Sequence, residues 1–151
     1  MRRARGLTVI ELMIGITLIG VVLAITIPGF RDILERRRLE GVANELSADL
    51  QYARSEAVSR RIDVVLTTAA DGASYTITGL PTAKTVALPA GVTVTGNVTR
   101  TYEPFRGTAG GDATIDIVST NTAGQLRITS NYMGRVQMCS PSGSFKGYTS
   151  C

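Results

Sequence analysis

The stretch Gly6-Leu7-Thr8-Val9-Ile10-Glu11, with the apolar run that follows it as far as Ile27, determines the expected fold. Three arginines precede Gly6. A run of about twenty apolar or small residues is long enough to span a bilayer core as a helix. Glu11 is the one charged residue in it, and a carboxylate at that depth costs about 2.5–3.5 kcal/mol. If the chain were cut after Gly6, the new amino group of Leu7 would lie one helical turn from Glu11, where the two charges could pair.

Residues 6–13 resemble the prepilin processing motif of type IV pilins and pseudopilins. The resemblance implies that prepilin peptidase cuts after Gly6 on the cytoplasmic side and methylates the amino group of Leu7. It also implies that Glu11 guides packing against other pilins or pseudopilins in a filament. Pro28 matches the family as well and predicts a helix kink. One departure is Leu7, where the family usually has Phe.

The N-terminal segment could instead be a secretory signal peptide or a plain signal anchor. A signal peptide has an apolar region of about 7–15 residues followed by a small-residue cleavage site. Here the run is longer, contains Glu11 near its start and continues into a helical pattern without a break. Arginines flank the run on both sides, so the processing motif decides the orientation more than charge does. We therefore expect a single-pass protein of the bacterial inner membrane with its C-terminal domain in the periplasm.

The composition argues against an enzyme. Histidine is absent, which excludes Ser-His-Asp and Cys-His catalysis and removes the commonest metal ligand. The glycines from Gly107 to Gly111 are not followed by a phosphate-binding Gly-Lys-Ser/Thr, and Glu103, Asp112 and Asp116 match no calcium loop. The net charge of +4 includes three leader arginines, so the processed chain is nearly neutral. We expect no catalytic residues, cofactor or metal.

Cys139 and Cys151 are the only cysteines, and their spacing matches no metal-binding or redox motif. In an exported domain two such cysteines predict a disulfide, which the oxidising periplasm favours. Two free thiols are the alternative.

Hydrophobic periodicity divides the remaining chain into a helix and a β-rich domain. Residues 30–61 repeat apolar side chains at three- and four-residue steps, which predicts a helix with one apolar face. Residues 62–151 alternate apolar and polar side chains in short runs between Gly- and Pro-containing turns, which predicts antiparallel sheets with one buried face. The expected organisation is an α+β protein with a leader peptide at 1–6, the transmembrane half of the helix at 7–29, its periplasmic half at 30–61 and a β-rich domain at 62–151.

Three segments resemble the GspH/FimT subgroup of minor pilins and pseudopilins. They are Asn44-Glu45-Leu46 with Ala53-Arg54-Ser55-Glu56-Ala57 in the helix, Tyr102 to Ala109, and Gly134-Arg135-Val136. The resemblance implies a pilin-like fold, with a long helix packed on two small sheets. It also implies a low-copy structural role in a type IV pilus or a type II secretion pseudopilus.

DNA capture is the alternative function that particular residues suggest. Some FimT-type pilins bind DNA through Gly-Arg-any-Arg, and the matching residues here end in Gln137 instead of a second arginine. Alternation predicts that Arg127 and Arg135 share the outer face of one hairpin, with Lys146 nearby. Aromatic side chains available for base stacking would be Tyr132, Phe145 and Tyr148. A solvated sheet face explains the same residues without DNA.

Overall fold

The computed structural model describes residues 8–121, 124–141, 143 and 145–151, without the side chains of residues 26–29 and 31. The chain divides into two compact units, Met1–Leu34 and Glu35–Cys151. By length and hydropathy, no helix in the described part of the chain qualifies as a membrane span.

One helix, α1, covers Val9–Arg60, so the predicted long N-terminal helix is confirmed. The helix assignment continues through Pro28, but the side chain of Pro28 lies outside the described part, so the kink stays a prediction. The helix ends at Arg60, and the residue after it, Arg61, has a left-handed backbone with a φ of 57°. The N–H of Ile62 then donates to the carbonyl of Ala57 at 3.2 Å, the 6→1 hydrogen bond of a Schellman motif.

The predicted apolar face of the second half of the helix is confirmed. Its members are at most 6% exposed, and they form one core with the strands. They are Leu39, Val42, Ala43, Leu46, Leu50, Ala53 and Ala57.

Eight strands form two four-stranded antiparallel sheets. The strands are β1 Val64–Thr68, β2 Ser74–Thr78, β3 Lys84–Ala87, β4 Val92–Thr95, β5 Thr99–Tyr102, β6 Ala113–Ser119, β7 Gln125–Ser130 and β8 Val136–Cys139. The first sheet has the order β3-β2-β1-β5 and the second has the order β4-β6-β7-β8. The inward residues of most strands alternate with outward ones, and this confirms the predicted α+β class with two sheets.

The apolar–polar alternation of the sequence does not predict the strand β5. Its two inward positions are Arg100, which is 3% exposed, and Tyr102, which is fully buried. A charged residue at an inward position breaks the alternation that identifies a strand. The sequence pattern therefore gives no sign of this strand.

Candidate functional site

Gly6 and Leu7, the predicted cleavage and methylation site, lie outside the described residues. Thr8 is described and precedes the first helical residue. Its hydroxyl oxygen accepts the backbone N–H of Glu11 at 3.3 Å, which is the hydrogen bond of an N-cap residue. The Thr-x-x-Glu spacing is the sequence signal for this cap, although the cap was not predicted. Glu11 itself is exposed in the first turn of α1, where the helix dipole favours a carboxylate.

Cys139 and Cys151 form a disulfide with a Cα–Cα distance of 5.1 Å, which confirms the predicted pairing. The segment beside the bond is also fixed by backbone hydrogen bonding, because the N–H of Ser140 donates to the carbonyl of Thr149 at 2.9 Å. The C-terminus is thus covalently attached to the end of β8.

Phe145, inside the loop closed by the disulfide, is 2% exposed. The guanidinium carbon of Arg36 lies 5.5 Å from its ring centroid, and the ring of Tyr148 meets it edge-on at 6.4 Å. The prediction that Phe145 is available for base stacking is therefore wrong, because its ring belongs to the core. Lys146, the next residue, is exposed.

The strand register places the expected basic residues on one face of the hairpin, but the charge of Arg127 is already paired. The outward residues Arg127 and Thr129 of β7 face Cys139 and Gln137 of β8, and Arg135 precedes β8 with the same parity as Gln137. However, the guanidinium of Arg127 forms a bidentate pair with the carboxylate of Asp116 on β6, at 2.6 and 2.9 Å. Hydrogen bonding to Arg127 lowers the pKa of Asp116.

Asp49 is a charged residue of the helix outside its apolar face, yet its exposed fraction is only 7%. The hydroxyl of Tyr75 donates to Asp49 at 2.7 Å, and Lys84 Nζ contacts both carboxylate oxygens at 2.6 and 2.7 Å. Burial, and then the hydrogen bond to Asp49, raises the pKa of Tyr75. This polar cluster connects the helix to β2 and β3.

Arg54 connects the helix to two loops that are distant in sequence. Its Nε donates to the carbonyl of Gly107 at 3.0 Å. Gly134 has a φ of 75°, and a methyl group built on it would lie 2.8 Å from Arg54 Nε and 2.9 Å from the carbonyl oxygen of Gly107. Three segments that resemble the GspH/FimT subgroup therefore meet at one point. We call Arg54, Gly107 and Gly134 the helix–loop junction.

Arg100 connects the two sheets, and no carboxylate among the described residues pairs with it. Its guanidinium donates to the carbonyls of Ser130 at 3.1 Å and Asn131 at 2.7 Å, to the Ser130 hydroxyl at 3.0 Å, and to the carbonyl of Gly111. This role was not predicted. A positive charge between Thr residues in a short run was its only sequence signal.

The part of the chain that the structure describes has no cluster of three side chains able to hold a metal ion. The buried Asp49 and Arg100 and the half-buried Arg54 are engaged in contacts that connect the helix, the loops and the sheets. Their chemistry is therefore that of a scaffold that fixes surface loops.

Comparisons with known proteins give two family matches and one solved relative. Residues 1–27 match the prokaryotic N-terminal methylation motif, and residues 42–144 match the type II transport protein GspH. Two crystal structures of the type IV minor pilin FimU from Pseudomonas aeruginosa are also similar. The P21 form is 28% identical with a TM-score of 0.56, covering 69% of this chain and 90% of that one. The P65 form is 27% identical with a TM-score of 0.50, covering 66% and 90%. No curated protein matches.

Proposed function

Because this chain belongs to the GspH family of type IV pilin-like proteins, which comprises minor pilins and pseudopilins, we propose that it is a structural subunit of a type IV pilus or a type II secretion pseudopilus. The proposal rests on two family matches in the same chain. The methylation motif matches residues 1–27, and the GspH model matches residues 42–144. The methylation motif suggests processing by prepilin peptidase, with the cut after Gly6 and methylation of Leu7.

The proposal includes a single-pass anchor at residues 7–29 in the bacterial inner membrane, with the rest of the chain in the periplasm. This part of the proposal is supported by the large apolar side chains from Val9 to Ile25, which are mostly more than half exposed. Lipid would cover them before assembly, and neighbouring subunits would cover them afterwards. Glu11 is the one charged side chain among them, and its partner in a filament would be the methylated amino group of Leu7.

Replacing Glu11 by Leu tests the assembly role. Insertion should improve by about 3 kcal/mol, since a carboxylate is removed from the bilayer core. Incorporation into filaments should nevertheless fall by tenfold or more, because loss of a buried ion pair costs about 3–5 kcal/mol. The measurement is the amount of processed chain in the membrane fraction and in the sheared-filament fraction.

The matched control is Thr17→Leu, which introduces the same side chain into the same segment without removing a charge. It should leave incorporation close to wild type. Equal incorporation of Glu11→Leu and wild-type protein would refute the assembly role of Glu11.

The alternative function is DNA capture by Arg135, Gln137 and Lys146, with Arg127 as a fourth group. The observations support it less than filament assembly, because Arg127 is already paired with Asp116 and Gln137 carries no charge. We expect weak or undetectable binding at physiological salt, with a salt slope of about −0.9 for each phosphate neutralised on duplex DNA.

Fluorescence anisotropy with the full-length chain in detergent measures this binding. Gln137→Arg should raise any affinity, Arg135→Ala should abolish it, and Arg127→Ala should change it little because the wild-type guanidinium is occupied. Tight wild-type binding that is lost with Arg135→Ala would make DNA capture the primary function.

A further inference from the structure

Two loops in the unit Glu35–Cys151 expose large apolar side chains. Phe105 is 81% exposed, Met133 is 64% exposed and Tyr132 is 54% exposed. In the described part of this unit, these three are the most exposed large apolar side chains. Large apolar side chains exposed together on neighbouring loops are a feature of interaction sites. We define residues 103–107 and 131–135 as the two-loop surface.

The two loops are adjacent and held in fixed conformations. The N–H of Ala109 donates to the carbonyl of Tyr132 at 2.9 Å, and Gly107 and Gly134 meet at the helix–loop junction. Each loop also contains its own turn hydrogen bond, from Gly107 N–H to Glu103 at 3.0 Å and from Gly134 N–H to Asn131 at 2.8 Å. A surface fixed in this way loses little conformational entropy when a partner binds.

The charged side chains at the two-loop surface differ in their hydrogen bonding. The carboxylate of Glu103 accepts the hydroxyl of Thr108 at 2.8 Å, and the carboxylate of Asp112, which lies just outside the surface, accepts the N–H of Tyr132 at 2.8 Å. In contrast, the side chains of Arg106 and Arg135 are exposed and form no hydrogen bond or ion pair with the described residues. The surface therefore offers two free guanidinium groups beside apolar side chains, a combination enriched in protein interfaces.

We propose that the two-loop surface is the contact site for a neighbouring filament subunit of different sequence, which presents carboxylates beside apolar side chains. This inference depends on the proposed filament function. Charge complementarity selects the partner, because carboxylates are the acceptors that two free guanidinium groups require. A two-fold contact between two copies of this chain would offer the guanidinium groups of Arg106 and Arg135 only one carboxylate of the same surface, that of Glu103. Phe105 and Met133 fit an apolar protein surface better than a phosphate backbone.

The test uses full-length protein in filament-producing cells. The variants are Phe105→Ala with Met133→Ala, Arg106→Glu with Arg135→Glu, and the control Arg61→Glu, which changes an exposed cation outside the two-loop surface. Both double variants should lower incorporation by about thirtyfold or more, since the loss of even one hot-spot side chain costs at least about 2 kcal/mol, which is about thirtyfold. Arg61→Glu should leave incorporation unchanged.

A photocrosslinker locates the partner directly. With p-benzoylphenylalanine in place of Phe105, ultraviolet light should give one adduct with a different pilin-like subunit, identified by mass spectrometry. Changing an acidic residue of the crosslinked peptide to Arg should restore incorporation of the Arg106→Glu, Arg135→Glu chain. This rescue separates direct contact from misfolding, because a misfolded chain would not recover.

Three results would overturn the inference: unchanged incorporation of both double variants, an adduct only with a second copy of this chain, or an adduct only with nucleic acid. Failure of the proposed function differs from these, since the wild-type chain would then be uncut after Gly6 and absent from filaments. In that case the inference falls together with the proposed function, whereas in the three results above the wild-type chain is still cut and present in filaments.

Discussion

Gly134→Ala is expected to lower the free energy of unfolding by about 2–4 kcal/mol, combining left-handed strain with steric overpacking. The φ of Gly134 is 75°, where an L side chain is strained. The new methyl group would also lie 2.9 Å from the carbonyl oxygen of Gly107, a backbone atom that is already held by Arg54. Because the helix–loop junction positions the two-loop surface, incorporation into filaments should fall as well.

Gly143→Ala is the matched control. Gly143 has a φ of 61°, similar to that of Gly134, but its added methyl group would have no atom of the described residues within 4 Å apart from its chain neighbours. Thermal unfolding of the purified full-length chains compares the two variants. A Gly134→Ala loss no larger than the Gly143→Ala loss would show that backbone strain alone matters and that the junction tolerates a side chain.

Arg100→Met is the second substitution with a large expected effect. It removes the donors for the carbonyls of Ser130 and Asn131 while keeping a long side chain in a buried position. Buried acceptors without donors cost about 1–3 kcal/mol each, so we expect a net loss of about 3 kcal/mol. For a chain of this size that corresponds to a melting temperature lower by about 10 °C.

Arg127→Met is the control for Arg100→Met. Arg127 also lies on a strand, but its partner Asp116 is on the outer face and can be hydrated when the guanidinium is lost. The expected loss is therefore much smaller. Equal losses for the two variants would mean that water or other donors satisfy the carbonyls between the two sheets.

The regular part of the fold could be predicted from the sequence because its residues obey simple periods. The seven residues of the apolar helix face, from Leu39 to Ala57, repeat with the helical period, and all seven are buried. Pairs such as Ile115 with Ile117 and Leu126 with Ile128 alternate with the strand period, and these four side chains are at most 1% exposed. Burial of an apolar face determines both patterns.

The exceptions are residues whose burial does not follow from their polarity or their place in the sequence pattern. Arg100 and Asp49 are charged yet buried, and each is stabilised by partners that are distant in sequence. Phe145 follows no period, and its burial depends on the disulfide loop and on Arg36. Periodicity contains no information on such long-range contacts, so β5, the Asp49 cluster and the position of Phe145 could not be predicted.

Some of the candidate sites could likewise be predicted from the sequence, and others could not. The disulfide could be predicted because only two cysteines are available, and it is confirmed. The shared outer face of the β7–β8 hairpin followed from alternation, but the pairing of Arg127 with Asp116 required the register of β6 with β7. The helix–loop junction required the contact between three segments separated by many residues. Cleavage after Gly6, the role of Glu11 and the kink at Pro28 stay predictions.

The mass of the mature N-terminus in isolated filaments tests the central proposal most directly. Filaments are sheared from cells, and the N-terminal peptide of this chain is identified by tandem mass spectrometry. We predict a peptide that begins at Leu7 with one methyl group on its amino nitrogen, and no such peptide from a Gly6→Glu chain. A wild-type chain that retains Met1 to Gly6, or that is absent from the filament fraction, would contradict the proposal.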